Sequence, residues 1–231
     1  MMITKQKTFS FLDESGLMIP TFPQKTKKRN FSAIGILKHP NPFKITQNLH
    51  KCHKQLCSTL KKDNTRIEFS FKGITERTTP VTLKALSTLE KDPDWTFHII
   101  YFDTTKTNFH KYYTKHNKWQ IYLDNVMLVI QKTLNKNEET VLLMDFLRCP
   151  TKEATKLKQI SHNTANIYAM LQVISHGVLL IQMVDILLGG FLYHKGNFSD
   201  KMGLKTEVAK RVMDIKNSVG NKRFKITKRT Y

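Results

Sequence analysis

The chain has 231 residues, 40 % of them hydrophobic, and its 38 lysines and arginines against 18 acidic residues give a net charge of +20. This length suits one large α/β domain, or one domain with an appendage, and it excludes a small scaffold that needs disulfide staples. A charge excess of this size makes a phosphate polymer the leading partner class, ahead of an anionic membrane surface.

Several features of the sequence bear on the compartment. Three cysteines at irregular spacing argue against a secreted disulfide framework. The first nine residues, MMITKQKTF, lack the apolar stretch of a signal peptide. The most apolar run, 177–193, is interrupted by Gln182 and Asp185 and is short for a membrane span. We therefore predict a soluble, cytoplasmic protein without a membrane partner.

The amino-terminal part of the chain is predicted to alternate between strands and helices. Apolar runs at 5–12 and 31–37 indicate two strands, joined by a polar and basic connection. Apolar residues at helical spacing over 45–60 indicate an amphipathic helix. The segment RIEFSF, 66–71, alternates between polar and apolar residues as a half-buried strand does, and 79–89 is predicted to be helical.

The later part of the chain continues this alternation. The pattern at 167–173 fits either a strand or a helix, and TVLLMDF is typical of a strand that is buried on both faces. The other predicted elements are strands at 95–102 and 140–146 and helices at 118–134, 177–194 and 205–215. Such an order favours an α/β fold with some parallel pairing in the sheet.

The last part of the chain is strongly basic. From Lys201 onward, ten basic residues face two acidic ones. We predict a main domain over residues 1–200, followed by a basic C-terminal helix or tail over 201–231. Such a segment is expected to become ordered on an anionic partner.

Three acidic residues follow apolar strand patterns directly. Asp13 follows FSFL, Asp103 follows HIIYF and Asp145 follows VLLM. Ligands of open α/β sheets bind beyond the carboxyl ends of the strands, so acids at these ends are placed to converge. Each of them alone could equally be an ordinary turn or helix-capping aspartate.

Asp185 lies in a different setting, within the almost entirely apolar helix GVLLIQMVDILLGGFLY. An ionised carboxylate in such surroundings costs several kcal/mol unless it is paired or binds a cation. Gln182 lies one turn earlier on the same face, so the helix presents one polar stripe. A salt bridge from Asp185 to a lysine at the edge of the core is the alternative.

Glu68, on the polar side of RIEFSF, is the fourth acid, although pairing with Arg66 could also explain it. Together with Asp13, Asp145 and Asp185 it comes from separate elements of the chain. Carboxylates brought together repel one another unless cations neutralise them, and their oxygens suit Mg²⁺ or Mn²⁺. Two such ions would support hydrolysis of a phosphodiester bond, and the basic chain would hold the polyanion.

At these residues the chain resembles the domain of unknown function 3800 family. The resemblance rests on FLDESG, RIEFSF, LLMDF and LLIQMVDILLGG, in that order, over roughly residues 9–194. It implies a ribonuclease-H-like mixed sheet flanked by helices and a metal-dependent nuclease.

The resemblance also implies roles for particular residues. Asp13, Glu68, Asp145 and Asp185 would bind metal and form the catalytic set, and Gln182 and Gly189 match the glutamine and the small residue of the helix motif. Ser15 would support the site. The second acid of ribonuclease-H folds usually lies on a helix, whereas Glu68 is predicted in an extended segment, so Glu14 and Glu76 are the substitutes.

Nucleic-acid contacts are expected from basic clusters. The candidates are Lys27, Lys28, Arg29, Lys111, Tyr112, Lys115, Lys222, Arg223 and Lys225. Lysines interleaved with aromatic residues over 106–119 fit the binding of single strands, and equally a helix whose aromatic side chains belong to the core.

Two other patterns predict less. His50, Cys52, His53 and Cys57 lack a second ligand pair at a zinc-site spacing. His176 could act as a general base or contact a phosphate, although a capping or core histidine explains it as well.

The leading hypothesis is a two-metal nuclease acting on RNA, DNA or a hybrid. The alternatives are a non-cleaving nucleic-acid-binding protein of the same fold, within a larger nucleoprotein complex, and a purely structural partner.

Overall fold

The computed structural model describes residues 5–16, 30–61, 67–146, 150–196 and 203–231. In these residues the predicted α/β fold is confirmed: one six-stranded mixed sheet is flanked by seven helices, an arrangement compatible with a ribonuclease-H-like fold. The strands are β1 (Gln6–Ser15), β2 (Phe31–His39), β3 (Thr96–Asp103), β4 (Glu138–Asp145), β5 (Ile167–Val173) and β6 (Phe224–Lys228). The helices are α1 (Phe43–Leu60), α2 (Thr79–Lys91), α3 (Thr107–Lys115), α4 (Lys118–Thr133), α5 (Thr151–Asn163), α6 (Leu179–Lys195) and α7 (Leu204–Arg223).

The strand order in the sheet is β5-β4-β1-β2-β3-β6. β1 pairs antiparallel with β2 and parallel with β4, and β2 pairs antiparallel with β3. The outer pairs, β4 with β5 and β3 with β6, are parallel. The register of β1 and β4 sets Leu12 beside Met144, so Asp13 and Asp145 follow side by side at the carboxyl ends of neighbouring strands.

Alternation along the central strands divides the core between the two faces of the sheet. Phe11 packs into the larger core, which is built with α1, α2, α6 and α7. Leu12 and Met144 pack on the other face against α4 and α5. Because Asp13 follows the same alternation as Phe11, its side chain is directed to the face that α6 covers.

The first strand is longer than the sequence predicts. β1 runs through the acidic residues to Ser15, because its backbone continues to pair with β2 as far as Ala33. Gly16 then ends it with φ +93°, and a Cβ at Gly16 would stand 2.6 Å from the carbonyl oxygen of Phe31. Only glycine tolerates this conformation and this close approach, which explains the last residue of DESG.

The prediction of a strand at 66–71 is wrong for the part that the structure describes. Ile67, Phe69 and Phe71 are buried and Glu68 is exposed, as alternation requires, but this segment has no strand partner in the sheet. The N–H groups of Phe69 and Phe71 donate instead to side chains of α6. Alternation of polar and apolar residues indicates only that one side of the segment is buried. It does not specify the partners of the backbone N–H and C=O groups.

The basic C-terminal part of the chain forms α7 and β6. β6 pairs with β3, and Val208, Val212 and Ile215 of α7 are buried in the larger core. The expectation of an arm that orders on a partner does not describe residues 203–231, because a buried apolar stripe coexists with the exposed lysines. α5 and β6 are not predicted from the sequence, and α5 buries only Glu153, Leu157 and Ile160. At 106–119 the helical alternative agrees with the structure, because α3 forms there and buries Phe109.

Two predictions for later strands are settled by burial and pairing. The segment 167–173 is a strand, β5, which pairs with β4. β4 was expected to be buried on both faces, yet its residues alternate between buried and half-buried, so one face is only partly covered. None of the helices in the described ranges has the length and apolar character needed to cross a membrane.

Candidate active site

A cleft of about 290 Å³ opens at the carboxyl ends of β1 and β4, between the 67–71 segment and α6. Five carboxylates line this cleft: Asp13, Glu14, Glu68, Asp145 and Asp185. Gln182, Ser175 and Lys72 lie in the same lining. The four acids predicted from separate parts of the chain therefore meet at one place, and Glu14 joins them.

Asp13 and Asp145 are held in position by local backbone hydrogen bonds. Asp13 is only 8 % exposed, and its Oδ1 accepts from the N–H of Glu14 at 2.8 Å. Asp145 Oδ1 accepts from the N–H groups of Phe146 at 2.9 Å and Ser175 at 3.1 Å. These bonds fix both carboxyl groups at the edge of the sheet, where the chain leaves β1 and β4.

The polar stripe of α6 clamps the irregular 67–71 segment. Gln182 is 1 % exposed, and its Oε1 accepts from the N–H of Phe69 at 2.9 Å. One turn later, Asp185 Oδ2 accepts from the N–H of Phe71 at 2.8 Å. This contact gives the half-buried Asp185 carboxylate a donor, which reduces the cost of its place in an apolar helix.

Gln182 also holds a second irregular segment, the 3-10 turn Ser175–Gly177. Its Nε2 donates to the carbonyl oxygens of Ser175 at 3.0 Å and His176 at 3.2 Å. One buried amide thus connects both walls of the cleft. Gln182 therefore holds in place the two segments that carry Glu68 and Ser175.

Glu68 differs from the other four acids. Its side chain is 37 % exposed, and Oε2 accepts from Ser175 Oγ at 3.0 Å and lies 3.4 Å from His176 Nδ1. It therefore lies at the mouth of the cleft, engaged by the 3-10 turn. Glu14, predicted only as a substitute, is half-buried and lies within the electrostatic reach of Asp145 and Asp185.

Burial and mutual repulsion raise the pKa values of two acids in the cleft. Burial raises the pKa of Asp13 well above its usual range, and the charges of Glu14, Asp185 and Asp145 raise it further. Burial, followed by the charges of Asp145 and Asp185, raises the pKa of Glu14 to about 7. Without a cation, the cluster thus resists full ionisation at neutral pH.

These raised pKa values predict a pH-dependent stability in the absence of metal. In the unfolded chain Glu14 titrates near 4.5, whereas in the folded protein its pKa is about 7. The folded state keeps its proton longer, so the free energy of unfolding falls as the pH rises from about 4.5 to about 7 and then levels off. We expect Glu14→Gln to be the more stable form at pH 8, by on the order of 2 kcal/mol.

Urea unfolding in EDTA at pH 5 and at pH 8 measures this difference. Glu76→Gln provides the matched control, because Glu76 is exposed and does not line the cleft. If the free energy of unfolding depends on pH equally in the wild type and in Glu14→Gln, the titration of Glu14 does not cause the pH dependence.

The chemistry of the lining fits a hard divalent cation. Carboxylate oxygens are the ligands that Mg²⁺ and Mn²⁺ prefer, and a cation would stabilise the ionised forms of Asp13 and Glu14, which burial and then the neighbouring charges disfavour. In the described part of the chain, however, no three His, Cys, Asp or Glu side chains already have the arrangement of a metal site.

Three further acidic or polar candidates lie apart from the cleft lining. Ser15 is buried in the ladder opposite Ala33. Glu76 is exposed in the turn before α2. Asp103 ends β3, and its Oδ1 accepts from the N–H and hydroxyl groups of Thr105, which is an ordinary turn contact.

The predicted nucleic-acid contacts are dispersed over the surface. Lys27, Lys28 and Arg29 lie outside the described residues. Lys111 and Lys115 are exposed on α3, on the carboxyl edge of the sheet but away from the cleft lining. Tyr112 packs beside buried Phe109, donates its hydroxyl hydrogen to Asp124 and stacks on His116, so its ring serves the small core around α3.

The C-terminal candidates lie at the opposite edge of the sheet from the acids. Lys222 and Lys225 are exposed, and they line a small pocket together with Lys132. Arg223 is used internally, since its guanidinium stacks on the Trp95 ring and donates to the carbonyl oxygens of Trp95 and Asp92. The structure does not bring this cluster to the acidic cleft.

Two residues of the lining were not predicted from the sequence. Lys72 brings a cation into the cleft, and Ser175 links Glu68 with Asp145 through its hydroxyl and N–H groups. A lysine directly after RIEFSF was a usable signal, because the segment already carried a candidate ligand. Nothing in the local sequence marks Ser175, whose role depends on the contact between distant segments.

No protein-family model matches the chain, and a search of curated proteins finds no match. The resemblance to the domain of unknown function 3800 family consequently rests on the four motifs alone.

Proposed function

We propose that this chain is a Mg²⁺- or Mn²⁺-dependent nuclease of ribonuclease-H-like fold that hydrolyses phosphodiester bonds of RNA or DNA. One observation carries the proposal: Asp13, near the carboxyl end of β1, lies beside Asp145, the last residue of the neighbouring parallel strand β4, and Asp185 lines the same cleft from α6. The order of the motifs and their resemblance to the domain of unknown function 3800 family support the same conclusion.

In this proposal the side chains of the cleft have different roles. Asp13, Asp145 and Asp185 hold the metal, and Glu68 or Glu14 completes the set of ligands. Bound Mg²⁺ or Mn²⁺ would supply an activated water and stabilise the charge on the leaving oxygen. Gln182 keeps both walls of the cleft in place, and Lys72 pairs with a phosphate oxygen of the substrate.

The charge of the whole chain fits a polyanionic substrate. The acidic cleft would repel a phosphate backbone without metal, whereas the net charge of +20 attracts it. Exposed Lys111 and Lys115 lie on the same edge of the sheet as the cleft, where they are placed to guide the backbone. The free buried thiols of Cys52 and Cys57 are consistent with a cytoplasmic location.

The proposal is tested with purified protein and labelled RNA, DNA and hybrid substrates. We expect cleavage in Mn²⁺ or Mg²⁺ and none in EDTA, with activity restored when the metal is returned. Cleavage that persists in EDTA would contradict a metal-dependent mechanism. Absence of cleavage with every metal and substrate would contradict nuclease activity.

A non-cleaving nucleic-acid-binding protein of the same fold is the second candidate, whether alone or within a larger nucleoprotein complex. The net charge of +20 supports it, because this charge attracts a polyanion whether or not the acids hold a metal. Tight binding that is insensitive to chelator, without cleavage, would identify this function. A purely structural partner would show little affinity for nucleic acid despite the charge.

A further inference from the structure

A second cavity of about 700 Å³ adjoins the acidic cleft. It lies between the amino-terminal half of α1, strand β1 and the 3-10 turn, and its volume is in the range typical of ligand pockets. We name it the aromatic groove, after Phe9, Phe43, His50 and His176 in its lining. Among the described residues that line it, none is acidic.

The groove exposes aromatic rings to solvent. Phe43, the first residue of α1, is 69 % exposed, and Phe9 on β1 is 37 % exposed. His50 and His176 are also exposed, so several flat rings face one space. Exposed phenylalanines in a groove are unfavourable in water, and they indicate a surface that binds an apolar or aromatic partner.

The groove and the acidic cleft share one wall. Ser175 and Gln182 line the cleft, whereas His176, Gly177 and Leu179 line the groove. His176 Nδ1 lies 3.4 Å from Glu68 Oε2, which places its ring at the boundary between the two cavities. A ligand held by the cleft would therefore extend directly into the groove.

The charge of the wall formed by α1 favours a polyanion. This helix contains Lys44, Lys51 and Lys54, all exposed, and no acidic residue. Lys54 follows His50 by one turn of the helix, although none of the three lysines is among the residues that line the groove itself. The helix also begins at the groove, where its dipole contributes partial positive charge.

We propose that the aromatic groove binds one or two unpaired nucleobases of a single-stranded nucleic acid, beside the phosphate that enters the acidic cleft. This inference rests on the proposed function. Stacking on aromatic rings with lysines along the backbone is how proteins hold single strands. Bases within a duplex are already stacked and paired, so their faces cannot reach the groove without being extruded. The site therefore prefers single-stranded to duplex substrates.

The test compares Phe43→Ala and His50→Ala with a matched control, Tyr168→Ala, since Tyr168 is 79 % exposed and lies outside the groove. All three are made in the full-length Asp13→Asn chain, and affinity for labelled single-stranded and duplex oligonucleotides is measured in Mn²⁺ by fluorescence anisotropy. We expect Phe43→Ala to weaken single-strand binding about 5- to 100-fold and to leave duplex binding nearly unchanged. His50→Ala should act in the same direction, and Tyr168→Ala should change neither affinity.

Each other outcome overturns this inference. If Phe43→Ala weakens the binding of both substrates equally, or of neither, the groove does not recognise single strands. Cleavage by the wild type would then still support the nuclease proposal. A wild-type dimer that Phe43→Ala dissociates in size-exclusion chromatography would show that the groove binds a second copy of the chain. A wild type that neither binds nor cleaves nucleic acid would overturn the proposed function itself.

Discussion

Asp13→Asn and Asp185→Asn are each expected to reduce metal-dependent cleavage by on the order of 10³-fold, because a lost carboxylate ligand removes several kcal/mol of charge stabilisation. Asparagine keeps the size of the side chain. At position 185 its amide oxygen can still accept from the N–H of Phe71, so the clamp on the 67–71 segment is preserved. The measurement is the cleavage rate at saturating Mn²⁺.

The same change at Asp13 should act on stability in the opposite direction. Asp13 is buried among the charges of Glu14, Asp185 and Asp145, so a neutral side chain removes repulsion. In EDTA at pH 8 we expect Asp13→Asn to unfold at a higher urea concentration than the wild type. A gain in stability together with a loss of activity distinguishes a functional acid from one that supports the fold.

Asp94→Asn is the control for this prediction. It makes the same chemical change at an exposed aspartate remote from the cleft, so activity and stability should both remain close to wild type. Cleavage that survives both Asp13→Asn and Asp185→Asn would contradict the proposed mechanism.

Gly189→Ala is expected to destabilise the protein by about 2 kcal/mol, which lowers the midpoint of thermal unfolding by about 4–8 °C. An added methyl group would overlap Cβ and Cγ of Phe71 and stand 2.9 Å from its Cδ1. Phe71 is 1 % exposed and is packed in the larger core. Alanine in a helix gains about 1 kcal/mol over glycine, but this gain is smaller than the cost of the overlap.

The overlap would also disturb the site, since the N–H of Phe71 donates to Asp185. Differential scanning calorimetry and the cleavage assay measure the two effects together. Gly203→Ala is the control, because a Cβ at Gly203 meets nothing within 4 Å and its φ of 169° is extended. An unchanged midpoint for Gly189→Ala would show that the 67–71 segment does not pack tightly on α6.

Local pattern was sufficient for the elements with strong periodicity. The apolar run of β2, the apolar stripe of α1 and the almost entirely apolar α6 each lie within a few residues of their predicted bounds. Burial of a continuous or periodic apolar surface is the dominant favourable term, so these segments have one favourable state. α5 was missed because few of its residues are apolar, and it buries only Glu153, Leu157 and Ile160.

The candidate site was also recognisable from the sequence in its main members. An acid that follows an apolar strand or interrupts an apolar helix costs free energy unless it has a partner, which makes it a candidate site residue. Three such acids, Asp13, Asp145 and Asp185, line one cleft. Asp103 satisfies the same strand-end rule and forms only a turn. The rule therefore selects candidates, and the neighbouring strand decides which of them converge.

The sequence by itself determined the α/β class, the basic charge and the acids that are candidates for metal binding, because composition and short-range periodicity carry this information. Only the tertiary structure decided that Gln182 and Asp185 bind the backbone of 67–71, which is not paired in the sheet. It also decided that Glu14 belongs to the acid cluster and that Glu68 lies at the mouth of the cleft. It also decided that the C-terminal segment completes the sheet. In each case the deciding partner is more than 100 residues away along the chain or across the cleft, where local propensity carries no information.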